Sequence, residues 1–156
     1  MNILNFSDDE YFMNVALMQA SIAYREGEVP VGAIAVKNGK IIAKAYNQIE
    51  QLNDATAHAE MLLLTKVFTV IGGWRLNDVI IYVTKEPCSM CAGAMVNSRL
   101  KKVVFGIHDY KYGAAGSALN VTGFKGNLHR VEVLGGVLEK ECLEQFQSFF
   151  KNLRKK

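Results

Sequence analysis

The sequence predicts an α/β fold, a three-layer α/β/α sandwich with a mixed central sheet. Three features predict it. Short apolar strands alternate with helical segments along the chain, the order expected of a sheet covered by helices on both faces. Residues 79–84 (VIIYVT) form a continuous run rich in β-branched side chains, as in a strand buried on both faces. Lys37-Asn38-Gly39-Lys40 lies between two apolar runs and carries the Asn-Gly hairpin signal. That hairpin makes the sheet mixed rather than parallel.

The elements follow in order. Ser7 and Glu10 form an S-x-x-E capping box. Phe12, Val15, Ala16, Ile22 and Ala23 then recur at helical spacing, and Gly27 closes the helix. Pro30 starts an extended run, with strands over 31–36 and 41–46. Residues 47–55 are polar and read as a loop. A second helix starts near Thr56 or Ala57, runs to about Phe68 and is punctuated by Gly72-Gly73. The 79–84 strand precedes Pro87 and a third helix over 89–97. A strand over 102–106, a loop dense in small residues over 110–117 (YKYGAAGS) and a last short strand over 130–134 come next. The C-terminal helix has an apolar stripe at Leu138, Cys142, Phe146, Phe149 and Leu153, and its end, KNLRKK, carries four positive charges. Those charges suit the negative end of a helix dipole.

The totals agree with one domain over residues 1–156. Half of the 156 residues are hydrophobic and 21% are charged, enough for a core without disulfides. Three cysteines make a disulfide framework unexpected and a reducing, cytoplasmic setting expected. MNILNFSDDE lacks the basic-then-apolar pattern of a signal peptide, and no apolar run reaches membrane-spanning length. A net charge of +3 permits an anionic partner without requiring one.

The chemistry lies in two short stretches. Read alone, Cys88 and Cys91 of KEPCSMCAG fit a redox pair, half of a metal site or two buried thiols. The second helix opens with His58-Ala59-Glu60. Residues two apart point about 200° from each other in mid-helix, so His58 and Glu60 share a site only at a helix tip, where this pattern puts them. Cysteines at i and i+3 share a helix face, again at an N-terminus, where the dipole favours thiolates. One imidazole and two thiolates make three zinc ligands and leave a position for water. Glu60 then remains free to move that water's proton.

H-x-E followed by P-C-x-x-C is the signature of the zinc nucleoside and nucleobase deaminases. Glu28-Val29-Pro30-Val31-Gly32, Ala45-Tyr46-Asn47, Thr56-Ala57-His58-Ala59-Glu60, Cys91-Ala92-Gly93-Ala94-Met95, Val104-Phe105-Gly106 and Gly113-Ala114-Ala115-Gly116-Ser117 extend the likeness. Over nearly its whole length the chain resembles the bacterial tRNA adenosine deaminases of the TadA type. That resemblance implies a cytidine deaminase-like fold, a homodimer, and conversion of adenosine to inosine at the wobble position of a tRNA anticodon. It implies one zinc per chain on His58, Cys88 and Cys91, with Glu60 as proton shuttle. It implies that Asn47 hydrogen-bonds the flipped nucleotide, with Ala59 counted among the substrate-binding positions. Asp109 and the 113–117 loop would lie along the RNA path, and Phe149, Phe150 and Arg154 would meet the anticodon stem-loop.

Each implied contact has a plainer structural reading. Asn47 also suits a strand-end turn, and Asp109 a helix cap. Phe149 and Phe150 are 100° apart on a helix, so one belongs to the core and the other is free for base stacking. Cys142 reads as a core thiol. Lys85, Ile107-His108, Tyr110 and Tyr112 depart from the family pattern, and Lys85 stands where an apolar residue is usual. A free guanine or cytosine deaminase is the alternative enzyme, and a non-catalytic RNA-binding subunit is the alternative of another class.

Overall fold

The computed structural model describes residues 7–155. The first six residues, part of the stretch read for a signal peptide, and Lys156 of the basic end lie outside it. The elements are α1 (Asp8–Arg25), β1 (Gly32–Lys37), β2 (Lys40–Tyr46), α2 (Ile49–Leu52), α3 (Ala59–Ile71), β3 (Val79–Lys85), α4 (Ser89–Asn97), β4 (Lys102–Ile107), β5 (Glu132–Leu134) and α5 (Glu139–Arg154). The sheet runs β2-β1-β3-β4-β5. β1 is antiparallel to both β2 and β3, while β3, β4 and β5 are parallel. The predicted mixed sheet is therefore present. Among the described residues no helix is long and apolar enough to cross a membrane.

Side chains on a strand alternate between faces, and that alternation builds two cores. Ile34, Val36, Tyr82 and Val104 pack with Met13 and Ala16 of α1 and Cys142 of α5. Ala33, Ala35, Ile81, Val83, Val103 and Phe105 pack on the other face with Leu63, Leu64 and Val67 of α3 and Met95 of α4. Helices thus cover both faces, and α3 and α4 share one of them. Cys142 is a core thiol, pushed up to about 12 by burial.

The local signals act as expected at several places. Ser7 Oγ accepts from the Glu10 N–H at 3.2 Å and caps α1. Asn38 and Gly39 take φ of 51° and 74°, the paired left-handed conformation of a type I′ turn. Gly32 has a different reason to be glycine. A Cβ there would lie 2.1 Å from Ala16 O and 2.3 Å from Ala20 N, so the α1 backbone rests directly on β1.

Three boundaries differ from the expectation. The polar 47–55 segment contains α2, one turn of helix. Its N–H groups at Glu50 and Gln51 donate to the buried Glu28 carboxylate at 3.0 and 2.7 Å, a cap supplied from far along the chain. α3 begins at Ala59, with His58 in the capping position, and continues past Phe68 to Ile71. The α5 stripe is narrower than its spacing suggests. Leu138 precedes the helix with φ 51°, and Leu153 is 55% exposed.

Gly32→Ala should destabilise the protein by about 1–3 kcal/mol or more, because the new methyl group meets backbone that cannot move aside. Urea denaturation measures it. An unchanged midpoint would mean that α1 does not rest on β1 as described.

Candidate active site

Two helix starts meet on one face of the sheet. His58 has extended backbone (φ −66°, ψ 150°) at the start of α3, so its ring projects beyond the helix end while Glu60 sits in the first turn. Cys88 caps α4 in the same way (φ −73°, ψ 177°), and Cys91 follows in its first turn. Cys88 Sγ and Cys91 Sγ each lie 3.6 Å from His58 Nδ1. All three donor atoms are within 4.8 Å of one another and could hold a metal ion.

The electrostatics of the cluster are uneven. A hydrogen bond from Cys91 pulls the Cys88 thiol down to about 3, against its partial burial. Cys91 is raised by that same bond, by burial and by nearby Glu60. The pair thus exposes one negative sulfur before any cation binds, and a dication would displace the second proton. The Cys88 bond raises His58. Burial pushes Glu60 up to about 7, against its own backbone N–H and the charges of His58 and Lys85. A carboxyl poised near neutrality is able to accept a proton and give it back.

A cavity of about 180 Å³ joins these groups. Asn47, His58, Glu60, Lys85, Cys88 and Phe146 line it, with Val29, Val31 and Ile49 completing an apolar wall. A second cavity, of about 420 Å³, is lined by Phe146, Gln147, Phe150, Lys151 and Arg154. Phe146 borders both.

The structure places the other predicted residues as follows. Asn47 is buried and lines the first cavity. Ala59 is wholly buried in the α3 core. Phe149 is buried edge-on against Tyr24, whereas Phe150 and Arg154 line the second cavity. Phe149 is thus the inward aromatic of the pair. Asp109 Oδ1 accepts from the N–H groups of Lys111 and Tyr112, each at 3.0 Å, so it caps a turn. Gly113, Ala114 and Ala115 are buried. A Cβ on Gly113 would lie 2.4 Å from the Glu86 carboxyl carbon, which explains the small residues of this loop.

Two residues of KEPCSMCAG were missed as determinants. Glu86, 3% exposed, accepts from the N–H groups of Asp109, Ala115 and Ser117 at 3.0, 3.0 and 3.1 Å, and from the Ser117 hydroxyl at 2.5 Å. It ties the 109–117 loop to the start of α4. Lys85 donates to Asp109 Oδ2 and lies 5.6 Å from the Phe146 ring centroid. Its departure from the family pattern was the one available signal. His108, another departure, pairs with Glu139 at 2.6 Å away from the cluster.

Comparison with known proteins places this geometry. The family model for MafB19-like deaminases matches residues 6–154. The chain is 47% identical over 150 residues to a tRNA-specific adenosine deaminase of Bacillus subtilis, covering 96% of this chain and 93% of that one. A solved structure from a study of A-to-I editing by tRNA:A34 deaminases at the wobble position superposes with a TM-score of 0.83. It is 37% identical and covers 86% of this chain and 98% of its own. A guanine deaminase structure from Bacillus subtilis is 39% identical, but it covers 64% of each chain with a TM-score of 0.61. The chain belongs to the MafB19-like deaminase family, among the tRNA-specific adenosine deaminases.

Proposed function

We propose that the protein is a zinc-dependent hydrolase that converts adenosine to inosine at the wobble position of a tRNA anticodon. The observation that carries this is the cavity in which buried Glu60 lies beside the His58 imidazole and the Cys88 thiol, with buried Cys91 completing the donor cluster. The donor set fits zinc. A tetrahedral ion bonded to sulfur at about 2.3 Å and to imidazole nitrogen at about 2.0–2.1 Å separates those atoms by about 3.5–3.6 Å. The two S–N separations are 3.6 Å.

His58, Cys88 and Cys91 would hold one zinc per chain, which when bound lowers the pKa of water toward about 7. Glu60 performs the proton transfers. Its carboxylate takes a proton from the water that attacks adenine C6 and delivers it to N1. The remaining water proton then passes through Glu60 to the exocyclic amine, the C6–N bond breaks, and ammonia leaves. Asn47 offers an amide that both donates and accepts hydrogen bonds, suited to orienting the nucleotide. Val29, Val31, Ile49 and Phe146 exclude bulk water from the reacting face. Phe150, Lys151 and Arg154 supply an aromatic and cationic surface for the neighbouring nucleotides. Such a surface has no use in an enzyme acting on a free guanine or cytosine base.

The same reading assigns the full chain to one deaminase domain that works in the cytoplasm with its RNA. It also assigns a homodimer. Leu119, Phe124 and Leu128 are 54%, 62% and 92% exposed, apolar side chains that a partner subunit would cover.

An ACG anticodon stem-loop should be converted to inosine with ammonia release, and free adenosine, guanine and cytosine orders of magnitude more slowly. Equal or faster turnover of a free base would overturn the tRNA reading. Glu60→Ala should keep about one zinc per chain by metal analysis yet lose turnover by about 10²–10⁴-fold. Wild-type turnover in that variant, or full activity after complete zinc removal by a chelator, would contradict the site.

A further inference from the structure

We infer that Lys85 positions the phosphodiester next to the reacting nucleotide, with Asp109 holding its ammonium in place. The inference deepens the tRNA reading and rests on it.

Lys85 is the one lysine or arginine lining the first cavity among the described residues. It also sits where the two cavities meet. Lys85 lies within cation–π range of Phe146, and Phe146 borders both cavities. A polynucleotide with its base against Glu60 and its chain leaving toward Phe150, Lys151 and Arg154 must carry a phosphate past this ammonium.

The hydrogen-bond inventory leaves room for that phosphate. An ammonium has three donors, and Asp109 Oδ2 takes one. Asp109 is itself fixed by the backbone. Its Oδ1 accepts from Lys111 and Tyr112, and its own N–H donates to Glu86. Burial would raise Asp109, but the Lys85 bond and those two N–H groups outweigh it and keep the carboxyl ionised. The ammonium is thus held at one point, with donors left for a second anion. A lysine serving only to neutralise Asp109 would have no reason to line the cavity.

The test is a cycle between the side chain and the substrate charge. Zinc-loaded wild type, Lys85→Met and Lys85→Arg are compared on stem-loops with a neutral methylphosphonate at the linkage 5′ or 3′ to the reacting adenosine. Lys85→Met keeps an unbranched apolar stem against Phe146. It should lower kcat/KM about tenfold on the unmodified RNA and reduce the salt slope of binding by about 0.7, the share of one single-strand phosphate. At one of the two linkages the methylphosphonate should cost wild type about the same factor and cost Lys85→Met nothing further. Lys85→Arg should behave as wild type. Losses that multiply at both linkages would mean that Lys85 acts only through Asp109, and the inference would fail. It would also fail if neither neutral linkage affected wild type, an arm that needs no variant to fold. A wild-type enzyme inactive on the unmodified stem-loop would instead defeat the tRNA reading itself, and the inference with it.

Discussion

The candidate site depends on one buried carboxylate. Glu86 stands between the end of β3 and the cysteine-bearing start of α4, and it gathers three backbone N–H groups and one hydroxyl from the 109–117 loop. A buried charge is tolerable only when it is so satisfied. In return, those bonds set the distance between the loop and α4. The Ala114 N–H donates to Pro87 O at 2.8 Å and closes the same seam. Asp109 hangs from this seam by its own N–H, and Lys85 hangs from Asp109. The wall of the cavity is therefore a chain of contacts that begins at Glu86.

The opposite wall has a different origin. β1 separates the strand leading toward α3 from the strand leading into α4, and both helices pack on the same face. Their N-termini therefore open side by side, and both dipoles favour negative charge there. The cluster uses this twice, for the Cys88 thiolate and for the Glu60 carboxylate. Burial raises Glu60 toward neutrality while the thiol pair sheds its first proton easily. One group suits proton transfer and the other suits a cation. Two adjacent titratable groups are driven apart in this way by their surroundings.

Much of this was legible because it is local. The capping box, the Asn-Gly turn, the 79–84 strand and α4 depend on neighbouring residues, and the His58–Glu60 spacing at a helix tip is itself local geometry. What could not be read depends on partners far along the chain. α2 forms because Glu28 caps it from across the loop, and nothing between 47 and 55 reveals that. Glu86 looks like an ordinary charged residue before a proline until its backbone donors arrive from 109–117. Lys85 stands out in the sequence as a charge where an apolar residue is usual, but its meaning needs Asp109 and Phe146. The apolar stripe of α5 overstated the helix's burial because spacing alone does not say where the sheet beneath it ends.

In the proposed site one imidazole and two thiolates hold zinc with a position left for water, beside a carboxylate that moves protons. X-ray absorption at the zinc edge of the purified protein tests it most directly. Two sulfur neighbours at about 2.3 Å and two nitrogen or oxygen neighbours at about 2.0–2.1 Å are expected. A shell with three or four sulfurs, or one with fewer than two, would contradict it.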